Sequence, residues 1–335
     1  MGDDVVAALR AELAPERVHA GAPLSDHTTM RVGGPAAALA RVESVAELQA
    51  IAGVIRRTGL PWLVIGRGSN LLIADAGWPG IAVILGRGLR GVDVDGTAVR
   101  AGAAEPMPAL ARAVARHGLG GLAFGVAIPG TVGGAVRMNA GAHGREIRDV
   151  LVWAEVARMG ADGALERWTA DRLGFRYRHS DLAADAVVTR VELVLAHTDA
   201  ERLAAQMAEM RQWRRDNQPI NEPSCGSVFR NPDGDSAGRL IEAAGCKGLR
   251  VGGAQVSRRH ANFVTVTPDA RASDVHAIIR TVQRRVYETA GVRLQTEVVL
   301  AGFDDDSEGR GRASASRRAG SREDAAGEES AEVWT

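Results

Sequence analysis

Lysine is almost missing from this 335-residue chain: Lys247 stands alone, and every other basic side chain is arginine. Because Lys247 is followed by Gly248, a Walker A loop with its Lys-Ser/Thr pair is excluded. The two cysteines, Cys225 and Cys246, are too few for a disulfide framework and lack a Cys-x-x-Cys spacing. Aromatic residues make up 4%, with two tyrosines, and 41 basic residues balance 41 acidic ones. Neither nucleic acid nor an anionic membrane is therefore indicated as the main partner. No apolar run approaches the roughly 18 residues that a bilayer crossing needs. The start, Met1-Gly2-Asp3-Asp4, is acidic where a secretory signal would be basic, and Val6 spoils the myristoylation pattern. The chain reads as cytoplasmic.

What is abundant is alanine, arginine and glycine, the glycines numbering 40. The length suits two domains at about 150 residues each. Val5, Val6, Leu9 and Leu13 at helical spacing predict a short first helix. A second is expected over 45–58, where Ser44 and Glu47 form a capping-box pair and Leu48, Ile51, Ala52 and Ile55 give the apolar face. Pro61 to Ile65 reads as a short buried strand. Strands follow at 82–85, 91–94 and 97–101, a helix near 106–117, and strands near 150–158 and 186–195. A polar helix near 199–214 marks a boundary at about 197–218. The final region has a helix over 273–290, ended by Gly291, and a strand over 292–300. This order favours an α+β fold over a doubly wound sheet. We divide the chain into a lead-in over 1–24, a first domain over 25–197 in two subdomains, and a second over 198–302. The charged tail, 303–335, has almost no apolar bulk and is expected to be disordered.

Three clusters can carry chemistry. Gly66-Arg67-Gly68-Ser69-Asn70 follows a strand, but Leu71 occupies the place of the third Rossmann glycine. What remains is either a plain tight turn or a nest whose N–H groups, with the Ser69 hydroxyl, cradle a pyrophosphate. Ile128-Pro129-Gly130-Thr131-Val132-Gly133-Gly134-Ala135 allows close backbone approach to something flat or anionic. Two such loops suit a large dinucleotide. In the third cluster, Pro223 to Pro232, Ser227 follows Gly226, yet Phe229 stands where a nucleophile elbow needs glycine. A proton donor, a ligand-binding hydroxyl and an ordinary loop serine all remain open.

These words, with Thr28 to Gly34, Met138-Asn139-Ala140-Gly141, Tyr177-Arg178-His179-Ser180, Gly252 to Ser257 and Thr296-Glu297-Val298, run in an order that resembles the UDP-N-acetylenolpyruvoylglucosamine reductase (MurB) family over residues 25–302. The compact Gly226 to Phe229 neighbourhood is similar to the branch lacking an extra substrate-covering tyrosine loop. The chain departs from the family words at Arg137 and His143, where many members carry tyrosine.

The resemblance implies a vanillyl-alcohol-oxidase-like (PCMH-type) FAD-binding domain followed by a MurB-type C-terminal α/β domain. It also implies non-covalent FAD, NADPH as hydride donor, and reduction of UDP-N-acetylglucosamine enolpyruvate to UDP-N-acetylmuramate for peptidoglycan. The family's catalytic residues fall on Arg178, Ser227 and Glu297. Cofactor contacts fall on Arg31, on Gly66, Arg67, Gly68, Ser69 and Asn70, and on Ile128, Pro129, Gly130, Thr131, Gly133 and Gly134. By charge, Arg214, beside Arg215 and before Gln218, is a candidate for the substrate diphosphate, against the alternative of a solvated helix end. No metal site is expected.

Overall fold

A computed structural model describes residues 2–303; the expected disorder of the tail falls almost wholly outside them. Seven α-helices are described: α1 (Gly2–Glu12), α2 (Val45–Thr58), α3 (Met107–Arg116), α4 (Val132–Arg137), α5 (Ala200–Asn217), α6 (Ala237–Ala243) and α7 (Ala272–Ala290). The Ser44 hydroxyl accepts from the Glu47 amide at 3.1 Å to start α2, and Gly59, at φ +62°, ends it.

The first layer is a four-stranded sheet in the order Val18–Ala20, Ala36–Val42, Trp78–Leu85, Trp62–Ile65, parallel except at its first edge. Alternation sorts its side chains. Ala38, Ala40 and Val42 join α1 and α2 in one core, while Leu39 meets Leu24, Ile73 and Ile84 in another. A five-stranded antiparallel sheet follows, in the order Ala164–Thr169, Leu151–Arg158, Ala186–Val194, Ala98–Gly102, Val92–Asp95. It shares a core with α3 and α4. The helix α5 lays Leu203, Met207 and Met210 against Ala111, Ala123 and Val126.

The last unit is a four-stranded antiparallel sheet, Ser224–Ser227, Phe263–Val266, Ala254–Val256 and Arg250–Val251, packed with α6 and α7. Its core also takes Met30, Val32 and Leu72 from the first region. The strand expected over 292–300 shrinks to Val299–Ala301, which pairs in parallel with Leu71–Ile73. Upstream of it, Phe229 and Thr296 form only an isolated bridge.

Asp75 ties the two regions together. Its carboxylate accepts from the amides of Ala272 at 2.7 Å and Ser273 at 3.1 Å, capping α7 from outside its own domain. Burial would raise this carboxyl, but the Ser273 hydroxyl, those two amides and Arg271 hold it below the usual range. A depressed folded value stabilises above the unfolded one and is lost as pH falls through it. Asp75→Ala is therefore expected to cost about 1 kcal/mol at neutral pH, roughly 2 °C in a melting scan. The gap from wild type should close as pH drops below the ordinary carboxylate range, and a gap independent of pH would contradict the assignment.

Candidate active site

The first glycine turn leaves the strand Trp62–Ile65 and is pressed against the segment before Arg31. Gly68 has φ +60°, and a Cβ there would lie 2.2 Å from the His27 carbonyl oxygen. Only glycine fits. Among the described residues, the amides of Arg67, Gly68, Ser69 and Asn70 donate to no protein acceptor. Four consecutive N–H groups are thus left free to donate to an anion.

The second glycine cluster faces this turn. A Cβ on Gly66 would meet the Thr131 hydroxyl at 2.7 Å, and one on Gly130 would touch the Ser69 hydroxyl at 3.5 Å. Beyond Gly130 the cluster is not a loop. Thr131 caps α4 by accepting from Gly134, and Gly133 donates to the Ala103 carbonyl at 2.9 Å. Its two glycines hid that helix from propensity. Gly133 thus packs the helix on the sheet, Ile128 is buried, and Pro129 and Thr131 reach the cleft.

That cleft, of about 710 Å³, is lined by Gly66, Arg67, Pro129 and Thr131, and by Ser224 and Gly226 from the third cluster. Arg31, Arg41, Arg67, Arg90 and Arg214 also line it, against Asp26 and Glu222. Arg31, Arg41, Arg67 and Arg90 make no salt bridge among the described residues. Such cations and the free amides fit a dinucleotide diphosphate. Arg31 takes φ +58°, with its amide on the Thr28 hydroxyl at 3.1 Å. Arg41 and Arg90 went unnoticed in sequence because arginine is this chain's default cation. Arg214 donates through Nε to Gln218 at 2.9 Å, and burial lowers its pKa with no carboxylate to oppose the shift.

At the end of the first turn, the Asn70 side-chain amide donates to the Glu297 main-chain carbonyl at 3.0 Å. The Glu297 amide in turn donates to the Val228 carbonyl at 2.8 Å, next to Ser227. Ser227 pairs with Phe263 across an irregular register, following Gly226 at φ +75°. Its hydroxyl makes no hydrogen bond among the described residues. Arg178 approaches from the other side: Nε is 3.2 Å from a Glu297 carboxylate oxygen, Nη2 donates to the Gly141 carbonyl at 2.9 Å, and Nη1 lies 3.7 Å from Glu146. Burial pushes the Glu297 carboxyl above the usual range, and Arg178 and Arg230 pull it back only in part. Residues 119 positions apart are thus brought into contact.

The cysteines stand apart from this chemistry. Both are buried, and burial pushes the Cys225 thiol up to about 12. Among the described residues, no group of three or more His, Cys, Asp or Glu could hold a metal.

Free amides and arginines without carboxylate partners around a cleft on an α+β scaffold, with a guanidinium, a raised carboxyl and a free hydroxyl at the end of the glycine turn, suit an enzyme that binds a dinucleotide cofactor. Residues 35–169 match the model of an FAD binding domain, and 218–301 match that of the UDP-N-acetylenolpyruvoylglucosamine reductase C-terminal domain. The UDP-N-acetylenolpyruvoylglucosamine reductase of Halalkalibacterium halodurans is 42% identical over 90% of this chain and 99% of its own. That of Bacillus subtilis is 40% identical over 85% and 94%. The crystal structure of the Thermus caldophilus reductase (MurB) superposes with a TM-score of 0.73 at 40% identity, covering 85% of this chain and 98% of that one. The chain belongs to the UDP-N-acetylenolpyruvoylglucosamine reductase family. The expected α+β fold, FAD-binding domain and MurB-type C-terminal domain all hold.

Proposed function

We propose that this protein reduces the enolpyruvyl group of UDP-N-acetylglucosamine enolpyruvate to UDP-N-acetylmuramate, a cytoplasmic step of peptidoglycan precursor synthesis that uses NADPH. Residues 25–197 form the cofactor domain and 198–302 the substrate domain. The observation that carries the reading is the contact of Arg178 with Glu297, beside Ser227 and at the end of the cofactor cradle.

FAD, when held there, would supply the hydride, with NADPH as its source. Everything else falls to side chains of the chain itself. An enol ether conjugated to a carboxylate becomes an enolate as it accepts hydride, and the new charge spreads onto that carboxylate. The fork of donors on Arg178 meets that charge directionally. Glu297, whose carboxyl burial raises against the pull of Arg178, is placed to donate a hydrogen bond there in its protonated form, where a second anion would repel. The unengaged Ser227 hydroxyl delivers the proton to the carbon beside the carboxylate. Arg214, oriented through Nε by Gln218, keeps its terminal nitrogens for a substrate phosphate.

The test begins with the visible absorption spectrum of the purified protein, before and after denaturation. A flavin band released on unfolding, bleached by NADPH and restored by the enolpyruvyl substrate, is the expected result. A colourless protein that FAD cannot reconstitute would remove the mechanism. A flavin that NADPH bleaches but this substrate does not restore would instead mark an oxidoreductase with another acceptor.

A further inference from the structure

Arg178 occupies an awkward place in the backbone. It sits at φ +52°, in the left-handed region that side chains other than glycine rarely adopt. The tip of its hairpin is closed by the mutual amide–carbonyl bonds of Arg176 and His179, each 3.0 Å, and its base by the Asp181 amide on the Leu173 carbonyl at 2.7 Å. So short a turn does not fix its own orientation, and a strained residue persists only where its surroundings over-determine it.

The surroundings that do so lie at the exit of α4. Arg137, the last residue of that helix, turns its guanidinium inward rather than to solvent. One nitrogen, Nη2, donates to the carbonyls of Ala183 at 3.2 Å and Ala186 at 2.5 Å. The Arg137 carbonyl accepts from the Ser180 hydroxyl at 2.7 Å, and Ser180 is buried. Arg137 forms no salt bridge among the described residues; Asp185 acts on it only through space. A buried cation without a paired carboxylate is a costly way to fill space. What the guanidinium gains is two attachments to the segment that leaves Arg178, to which the main-chain carbonyl of the same residue adds a third. Two residues on, fully buried Asn139 attaches the segment that enters it, donating to the Arg176 carbonyl at 3.0 Å. The same amide nitrogen reaches Glu146, the carboxylate beside Arg178 Nη1, at 2.8 Å.

We propose that Arg137 is a positioning residue for Arg178: from the end of α4 it fixes the segment 180–186, and with Asn139 on the entering side it holds the Arg178 guanidinium at the reacting carboxylate. The inference rests on the role given to Arg178 above. It predicts that Arg137 matters to the second half-reaction alone, although it touches neither substrate nor Glu297. It predicts also that its effect vanishes once the Arg178 guanidinium is gone.

The experiment uses the full-length, FAD-loaded protein and follows each half-reaction by flavin absorbance in single turnovers. Arg137→Met should keep the wild-type FAD content and the wild-type rate of bleaching by NADPH. Its reoxidation by saturating enolpyruvyl substrate should slow about 10- to 100-fold, the scale of a misplacement near 1 Å. Arg137→Lys, which keeps a donor, should recover part of that loss. In an Arg178→Ala background, Arg137→Met should change the residual reoxidation rate less than twofold, because two residues acting as a unit are not additive. Should Arg137→Met fail to fold, Ser180→Ala, which removes one attachment, takes its place in the same cycle.

Equal slowing of both half-reactions, or the same fold-loss with and without Arg178, would mean a general structural role and overturn the proposal. Unchanged reoxidation in Arg137→Met would overturn it as well. Wild-type reoxidation in Arg178→Ala alone is a different failure, and would remove the catalytic assignment of Arg178 itself.

Discussion

Ser227→Ala is expected to leave the flavin fully reducible by NADPH while turnover with the enolpyruvyl substrate falls by roughly 10³-fold, within the range for loss of a positioned proton donor. The separation follows from where the residue sits. Ser227 belongs to the strand Ser224–Ser227 of the C-terminal sheet, whereas the cradle formed by Gly66 to Asn70 and by Pro129 and Thr131 belongs to the first region. Deleting one hydroxyl that makes no protein hydrogen bond disturbs neither cofactor binding nor folding. On the proposed mechanism it removes only the proton that the enolate must receive. Stopped-flow spectra check both halves in one variant: bleaching at the wild-type rate, then a reduced band that persists after substrate is added. Slowed bleaching would place Ser227 in the NADPH step instead.

Legibility differed between the parts of this site for physical reasons. Short-range signals read well, because they depend on neighbours in sequence. The Ser44 cap, the helix over 45–58 and the turn after Ile65 were all visible in the chain, and all are present. Signals that depend on tertiary partners did not read. Two consecutive glycines disguised α4, which exists because Thr131 caps it and Ala103 takes the Gly133 amide. The segment 292–298 alternates like a strand but finds only the Phe229–Thr296 bridge before Val299 pairs with Leu71. Arg178 looked like one more arginine in an arginine-rich run until the resemblance singled it out. Its contact with Glu297 spans 119 positions and no local pattern encodes it. Arg41 and Arg90 gave no signal at all, since identity carries little information where arginine replaces lysine almost everywhere.

Arg178→Ala should lower the rate of flavin reoxidation by roughly 10²- to 10³-fold, the usual loss when a group aimed at developing negative charge is removed. Arg178→Lys should recover only part of this, because an ammonium keeps the charge but loses the planar fork. Arg178→Ala should also differ from wild type in pH dependence, and the sign follows from Glu297. Burial raises that carboxyl, and Arg178 is the foremost group pulling it back. If neutral Glu297 is the working form, reoxidation slows as pH rises through its pKa. Taking Arg178 away removes the downward pull, so in Arg178→Ala the alkaline limb should move to higher pH even as the rate at every pH drops. Glu297→Gln keeps a donor that does not titrate, and its profile should lose the limb altogether. Profiles of reoxidation rate for the wild type and these two variants would decide it. A limb that moves to lower pH in Arg178→Ala, or that survives in Glu297→Gln, would mean that another group sets the proton inventory of the site.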